Sequence, residues 1–533
     1  MRTIIMKILS KIPFHSFLFA VYPVLLMYWA NSQQVALNVI WRPTLFLILL
    51  SIFLIGLLFI PMRRDLDRAA LATTVLLIWF LFYGHLANIL VGWTGIEILG
   101  RSKFLLPVTG IIVIGLLWIL SRKPVAVEMI TFVNIVAILG FFLISIQIIL
   151  GLSRTNQIMQ THNYTKSSIQ IDLGSQARDI YIIILDSYAR QDVLSTEFGY
   201  DNQVFLDDLI KRGFKVSTCS VSNYNSTDYS LASTFNLEYF NPTLADYAES
   251  GIGYAEVQKM LRHSVTRTQL ESLGYSTWSF ETGYSFADWS DADHFLTYES
   301  EQSSDLNSPI LRPFESLLIK SSIFRTVLQY ISAHIRTIND KLLWDMKYPF
   351  QTHIMQTKYA LKKLEEMPLL PGPKLVHVHL MVPHKPLVFS ESGEILNDAG
   401  YYGNEGDAIN ETYFKNGYVS QIKFINHRLL TIIDALKRES RIEPIIIVFS
   451  DHGYYYSSTH FENLIAILIP DASPNYVLPS SNVNIFRSIF NEVFDTSYPL
   501  LQDLSFNVNN GEHGEKLFTL LDYSTLGTCK NPK

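Results

Sequence analysis

Two cysteines, Cys219 and Cys529, are all that the 533 residues contain, which excludes a disulfide framework or a cysteine-rich zinc site and allows at most one disulfide. Pairing in an oxidising compartment and two buried thiols stand as equal readings of the pair. Charge is scarce too. Only 17% of residues are charged against 49% hydrophobic, and the mean hydropathy is +0.19, so part of the chain belongs in lipid. There is no basic excess: a net charge of -6 and a pI near 6.2 provide no field for neutralising nucleic-acid phosphates, and nucleic acid is not an expected partner. Internal repeats and low-complexity tracts are absent as well.

What is present, before about residue 152, is a series of apolar segments: Phe14 to Ala30, Thr44 to Ile60, Ala69 to Val91, Phe104 to Leu120 and Met129 to Leu150. Each is long enough, or nearly so, to cross about 30 Å of hydrocarbon. A signal peptide explains one such segment but not several in a row. Residues 1–151 therefore read as a transmembrane domain of about five helices. Basic residues mark the cytoplasmic side: Arg2, Lys7 and Lys11 before the first span, Arg63, Arg64 and Arg68 between the second and third, Arg122 and Lys123 between the fourth and fifth. The opposite loops carry only Arg42, or Arg101 with Lys103. An odd number of spans places everything after Leu150 outside, facing the periplasm or cell exterior; an even number, with the weak first segment left out, reverses this. The expected location is a bacterial-type inner membrane.

Residues 152–178 turn polar and read as a linker, followed by a soluble domain over 179–505 and a tail over 506–533 that carries little signal. Short β-branched runs such as Asp179 to Leu185, Lys374 to Met381, Pro444 to Phe449 and Leu464 to Ile469 predict buried strands. They alternate with helical stretches such as Asn202 to Arg212 and Thr412 to Leu436, the pattern of an α/β sheet covered on both faces.

Strand ends are where open α/β sheets place their sites. The run from Tyr181 delivers Asp186 at its end, although an Asp there can equally begin a turn. The run from Pro444 ends in Asp451, His452 and Gly453, an adjacent oxygen and nitrogen ligand followed by a residue free to turn sharply. That mixture suits zinc or manganese better than calcium, and a turn with a hydrogen-bonded histidine is the structural alternative. In Tyr224 to Ser233, small hydroxyl residues open a helix. Thr227 or Ser226 there is either an N-cap or a hydroxyl poised to attack a phosphate or sulfate held by the helix N-terminus.

In this order the three motifs resemble the alkaline-phosphatase-like superfamily, in its branch of sulfatase-like hydrolases and transferases that includes lipoteichoic acid synthases and phosphoethanolamine transferases. The resemblance covers roughly residues 179 to 500. It implies an α/β alkaline-phosphatase-like sandwich, a mostly parallel sheet with helices on both faces, behind the transmembrane helices. It also implies one catalytic divalent metal, zinc or manganese with magnesium possible, on Asp186, Thr227, Asp451 and His452, with Thr227 as nucleophile. By the same resemblance His384, in Val378 to Pro386, sits beside the transferred group as a hydrogen-bond or proton donor, chemistry open to an imidazole. His377 and His379 on that strand read as structural. His460 and Trp289 fall where relatives contact substrate. The chain departs from the pattern twice. The headgroup arginine of the lipoteichoic acid synthases is missing near Trp289, and Ser226-Thr-Asp-Tyr-Ser has neither the Pro nor the Arg of the formylglycine motif of sulfatases. The implied activity is a phosphotransferase moving a phosphoethanolamine- or phosphoglycerol-like group from a membrane lipid donor to a glycan or lipid acceptor. A phosphodiesterase or sulfatase-type hydrolase, or a non-catalytic lipid-binding regulator of the same fold, is the alternative.

Overall fold

The structure is a computed structural model that describes residues 13–31, 37–161, 177–240, 254–284, 287–298, 313–324, 326, 350–396, 401, 411–454, 460–510 and 516–521. The chain divides into two compact units, one of residues 1–157 with 306–349, the other of 158–305 with 350–533.

The first unit holds α1 (Phe14–Asn31), α2 (Trp41–Phe59), α3 (Leu66–Leu81), α4 (Tyr83–Thr94), α5 (Ser102–Arg122) and α6 (Val127–Thr161). Among the described residues three helices are long and apolar enough to cross a membrane: Trp41–Phe59, Ser102–Arg122 and Val127–Leu150. The Ala69 to Val91 segment, expected as one span, breaks at Phe82 into α3 and α4 with a bend of 61°, and Phe14–Ala30 forms a shorter apolar helix. Rows of exposed side chains such as Phe46, Ile111, Trp118 and Leu143 leave the unit's outer surface apolar, the surface a lipid solvent requires. α6 runs on past Leu150 to Thr161, into the expected linker.

The second unit begins β1 (Ile180–Leu185), α7 (Gln191–Phe198), α8 (Gln203–Lys211), β2 (Lys215–Val216), α9 (Thr227–Asn236), α10 (Tyr254–Arg262), α11 (Val265–Ser272), β3 (Ser276–Phe280) and β4 (His294–Leu296). α12 (Pro313–Ser321) then belongs to the first unit. The second resumes with α13 (Gln351–Glu366), β5 (Lys374–Leu380), α14 (Glu411–Glu439), β6 (Ile445–Phe449), β7 (Ile465–Leu468), α15 (Ile485–Phe494), β8 (Phe506–Asn510) and β9 (Lys516–Leu520).

Seven strands form one sheet in the order β2-β7-β6-β1-β5-β3-β4, with β6, β1, β5, β3 and β4 parallel neighbours and β7 alone reversed, antiparallel to both β6 and β2. Side chains alternate along β1, yet all six of its residues are buried. Tyr181, Ile183 and Leu185 face a core with residues of α7, α8, α13 and α14, while Ile180, Ile182 and Ile184 face one with residues of α9, α10, α11 and α15. Double burial explains why the strand sequences read as continuous apolar runs. The expected mostly parallel α/β sandwich is therefore the observed fold. The stretch after Asp503, weak in sequence signal, contributes Phe506 and Phe518, which pack on Tyr224 near the start of α9.

Candidate metal centre

β1 and β6 are parallel neighbours with Ile184 opposite Phe449. Two residues further on, the same register brings Asp186 and Asp451 to one height at the carboxyl end of the sheet. Asp186, Asp451 and His452 are all buried and offer ligand atoms within 4.8 Å of one another. Ser187 organises the carboxylates. Its amide donates to Asp451 Oδ1 at 3.0 Å and its hydroxyl to Asp186 Oδ1 at 3.0 Å. To do so its backbone adopts φ +60°, a left-handed conformation costly for a residue with a Cβ.

That arrangement leaves Oδ2 of Asp186 and Oδ2 of Asp451 buried and without a hydrogen bond. Each faces an imidazole nitrogen, His379 Nε2 at 3.2 Å from Asp186 Oδ2 and His452 Nε2 at 3.3 Å from Asp451 Oδ2, and two buried carboxylates this close together favour a cation between them. The neighbouring imidazole is prepared to join them. His452 Nδ1 lies 2.8 Å from the Gly453 carbonyl, which can only accept, so Nδ1 carries the proton and Nε2 presents its lone pair in the neutral ring. Nε2 is 3.3 Å from Asp451 Oδ2 and 3.3 Å from Thr227 Oγ1. Two carboxylate oxygens, one imidazole nitrogen and one hydroxyl thus converge, a set that fits a single divalent cation with mixed oxygen and nitrogen preference.

Thr227 is the first residue of α9, with Ser226 at the N-cap. Ser226 makes no side-chain cap bond; its hydroxyl donates to the Asp228 carboxylate. The structure therefore separates the two hydroxyls that the sequence left open, because Thr227 faces the cluster and Ser226 is engaged elsewhere. Thr227 is partly exposed whereas Asp186, Asp451 and His452 are buried, so a substrate can reach the hydroxyl.

The field of the site follows from its composition. Burial by itself raises the Asp186 carboxyl, but His384, His379 and His452 outweigh it and hold the group well below the carboxylate range. Burial lowers His452, but the Asp451 and Asp186 carboxylates reverse this and leave it raised. The same negative field attracts a cation. Ser230 Oγ donates to the Asp451 carbonyl at 2.5 Å, and Asn482 Nδ2 to the carbonyls of Ser450 and Asp451 at 2.9 and 3.2 Å, so the turn bearing Asp451 and His452 is pinned.

His384 donates its amide to the Asp186 carbonyl at 3.1 Å, and its Nδ1 lies 2.7 Å from the Lys385 carbonyl, which directs Nε2 as the free ring nitrogen. His460 lies beside the cluster, its ring 6.3 Å from that of His452 and its carbonyl accepting from the Gly453 amide at 2.7 Å. His379, read from sequence as structural, brings Nε2 within 3.2 Å of Asp186 Oδ2. Trp289 is placed elsewhere. It is fully buried, stacked on His377 at 4.2 Å and edge-on to Phe235 at 5.5 Å. His377 pairs with Ile182, four residues short of Asp186, about 13 Å along the strand at ~3.3 Å per residue. An indole sealed in the core there has no surface to offer a substrate, so the expected contact is not formed by Trp289. Ser187 and His379 escaped the sequence reading, since neither a left-handed serine nor a cross-strand contact leaves a periodic signal. Cys219 is disulfide-bonded, and Cys529 lies outside the described residues.

The sulfatase family model matches residues 178–473. No curated protein matches the chain. Among solved structures, the C-terminal periplasmic domain of EcEptC from Escherichia coli in complex with Zn is similar at 13% identity and TM-score 0.40, over 66% of this chain and 94% of that one. The integral membrane protein lipooligosaccharide phosphoethanolamine transferase A from Neisseria meningitidis is similar at 13% identity and TM-score 0.33, over 87% and 88% of the two chains. The phosphonate monoester hydrolase of Agrobacterium radiobacter is similar at 12% identity and TM-score 0.36, over 63% and 80%. With a strand-end carboxylate, an Asp-His pair and a helix-opening threonine gathered at one point of a mostly parallel sheet, and a family match that spans all three, the chain belongs to the sulfatase family.

Proposed function

We propose that this protein is a multi-pass membrane transferase that moves a phospho-substituent from a lipid donor to a surface glycan or lipid through a Thr227-linked intermediate. One observation carries the reading: Thr227 Oγ1, at a helix N-terminus, lies 3.3 Å from His452 Nε2 beside two buried carboxylate oxygens that lack hydrogen bonds. The Lys and Arg distribution supports a catalytic unit outside the cytoplasm. The missing formylglycine motif favours phosphoryl over sulfuryl transfer.

Asp186, Asp451, His452 and Thr227 would hold one divalent cation, which when bound lowers the pKa of the threonine hydroxyl and offsets charge on the transferred group. Thr227 Oγ1 attacks phosphorus, and the bond from phosphorus to the lipid glycerol oxygen breaks. His384, anchored through Nδ1 on the Lys385 carbonyl, presents its Nε2 lone pair, takes there the proton that Thr227 gives up as it attacks, and passes it to the leaving glycerol oxygen. First-turn amides of α9 face the phosphoryl oxygens. In the second step an acceptor hydroxyl gives its proton to His384 Nε2 and attacks phosphorus, the bond from phosphorus to Thr227 Oγ1 breaks, and His384 passes the proton to that oxygen, regenerating the free threonine. Water in place of the acceptor gives hydrolysis.

The test is mass spectrometry of lipids and surface glycans from cells with and without the chain. One phospho-substituent missing from a glycan or lipid when the chain is deleted supports the transferase. Identical profiles, with soluble phosphodiesters accumulating instead, would establish the hydrolase.

A further inference from the structure

α13 opens with an imidazole that the mechanism above leaves unused. His353 lies in its first turn, and its Nε2 is buried with no hydrogen-bond partner among the described residues. A buried polar nitrogen without a partner is destabilising. Packing gives no reason for it, since an apolar side chain of similar size would avoid the penalty.

Contacts on two sides fix where this ring stands. On one side it lies 6.3 Å from the ring of Phe389, in the segment that carries His384. α14 holds that segment at three points: Gln421 Nε2 donates to the His384 carbonyl at 3.2 Å, Gln421 Oε1 accepts the Val388 amide at 2.9 Å, and Phe424 stacks on Phe389 at 4.6 Å. On the other side, one turn along α13, Gln356 meets the turn that follows β3. A Cβ on Gly283 would lie 2.9 Å from Gln356 Oε1, so the glycine, at φ +87°, lets helix and turn close up. Asp288 holds that turn in place by accepting the Thr282 amide and hydroxyl at 2.9 and 2.7 Å.

The ring also lies within the field of the metal centre. Burial, with a smaller push from His384, outweighs the Asp186 carboxylate and lowers its pKa from 6.5 to about 4. His353 is therefore neutral near pH 7 while feeling both Asp186 and His384. A neutral imidazole carries one N–H, on either nitrogen. Placed beside a reacting group, such a donor stabilises developing negative charge without giving its proton away.

We propose that His353 Nε2 donates a hydrogen bond to a non-bridging oxygen of the transferred phosphoryl group. The oxygen selects the tautomer with the proton on Nε2, and the bond meets the one need of the ring that the protein leaves open. The role differs from that of His384, which takes a proton and passes it on, whereas His353 keeps its own throughout. The proposal rests on the phosphoryl-transfer reading above. It adds a contact that strengthens as charge gathers on the phosphoryl oxygens, so its loss falls on kcat more than on KM.

The test is bis(4-nitrophenyl) phosphate hydrolysis by the full, zinc-loaded chain in detergent. His353→Phe fills the space without a donor, and His353→Gln brings an amide N–H close to the position of Nε2. Bound zinc and unfolding temperature are measured in each variant, and vanadate is titrated as a mimic of the transition state. His353→Phe is expected to lower kcat about 10- to 100-fold, the range for one hydrogen bond to a charged group, to leave KM within about twofold, and to weaken vanadate inhibition by a factor similar to that in kcat. His353→Gln is expected to stay within about fivefold of the unaltered chain, with zinc content and unfolding temperature held in both. Unchanged kcat in His353→Phe, equal loss in the two variants, or a loss that follows zinc content would overturn the proposal. Should His353→Phe not fold, nitrogen-15 resonances of the unaltered chain decide: a His353 Nε2 signal that moves to that of a hydrogen-bonded N–H on adding vanadate supports the contact, and an unmoved signal overturns it. Failure of the Thr227-linked reading looks different, since hydrolysis would then survive Thr227→Ala while the two His353 variants kept their ranking.

Discussion

Removing the Ser187 hydroxyl isolates the contact that orders the Asp186 and Asp451 carboxylates. In Ser187→Ala the backbone amide still serves Asp451, but Asp186 Oδ1 loses its 3.0 Å donor. A hydrogen bond to a charged group is worth about 1.5–3 kcal/mol, or roughly 10- to 150-fold in an equilibrium constant, in line with the ~10- to 100-fold that such supporting residues contribute to metal affinity. Ser187→Gly loses the same hydroxyl but relaxes the strained φ of +60°, recovering about 1 kcal/mol of folding stability relative to alanine. Competitive chelator titration should therefore show the same weakened zinc affinity in both variants, and thermal unfolding should rank glycine above alanine. Zinc affinity equal to that of the unaltered chain in both would refute the idea that Ser187 orders the ligands.

Trp289→Ala should cost about 3–5 kcal/mol of stability in the catalytic unit and leave the KM for a soluble phosphodiester unchanged in the protein that remains folded; a raised KM without destabilisation would return the indole to the substrate. Burial pushes the Asp288 carboxyl up to about 7 from 3.8, so the folded state keeps a proton that the unfolded chain loses first. Stability should fall as pH rises from about 4 to about 7 and level off above, by on the order of 4 kcal/mol. Asp288→Asn should remove that slope in pH-dependent unfolding, since its Oδ1 can still accept the Thr282 amide and hydroxyl. Chelator dialysis should abolish turnover and lower the unfolding temperature, because a ligand at 100 times its Kd contributes about 2.7 kcal/mol. Zinc or manganese should restore both and calcium should not.

The strand-end cluster was legible in the sequence because buried parallel strands are written as unbroken apolar runs, and a polar residue closing such a run has no packing reason to be there. Asp186, Asp451 and His452 could be read that way, and the register of β1 and β6 then brings them together. The choice between Ser226 and Thr227 needed coordinates, since the two hydroxyls differ only in which way a helix start turns them. Trp289 misled because an indole near a site is as readily a core residue as a contact. The break at Phe82 and the place of α12 in the first unit were invisible for a common reason: hydropathy records that a segment is apolar, and not whether its partner is lipid or another stretch of the chain. β3 was missed because Ser-Thr-Trp-Ser-Phe carries no apolar run, its polar hydroxyls being satisfied inside by groups such as Asp293 and His377.

The account stands most directly on one comparison, the rate of bis(4-nitrophenyl) phosphate hydrolysis by Thr227→Ala and Ser226→Ala with bound metal measured in each. It predicts a loss of on the order of a thousandfold or more for Thr227→Ala and near-normal turnover for Ser226→Ala. Full activity in Thr227→Ala, with loss in Ser226→Ala, would contradict it.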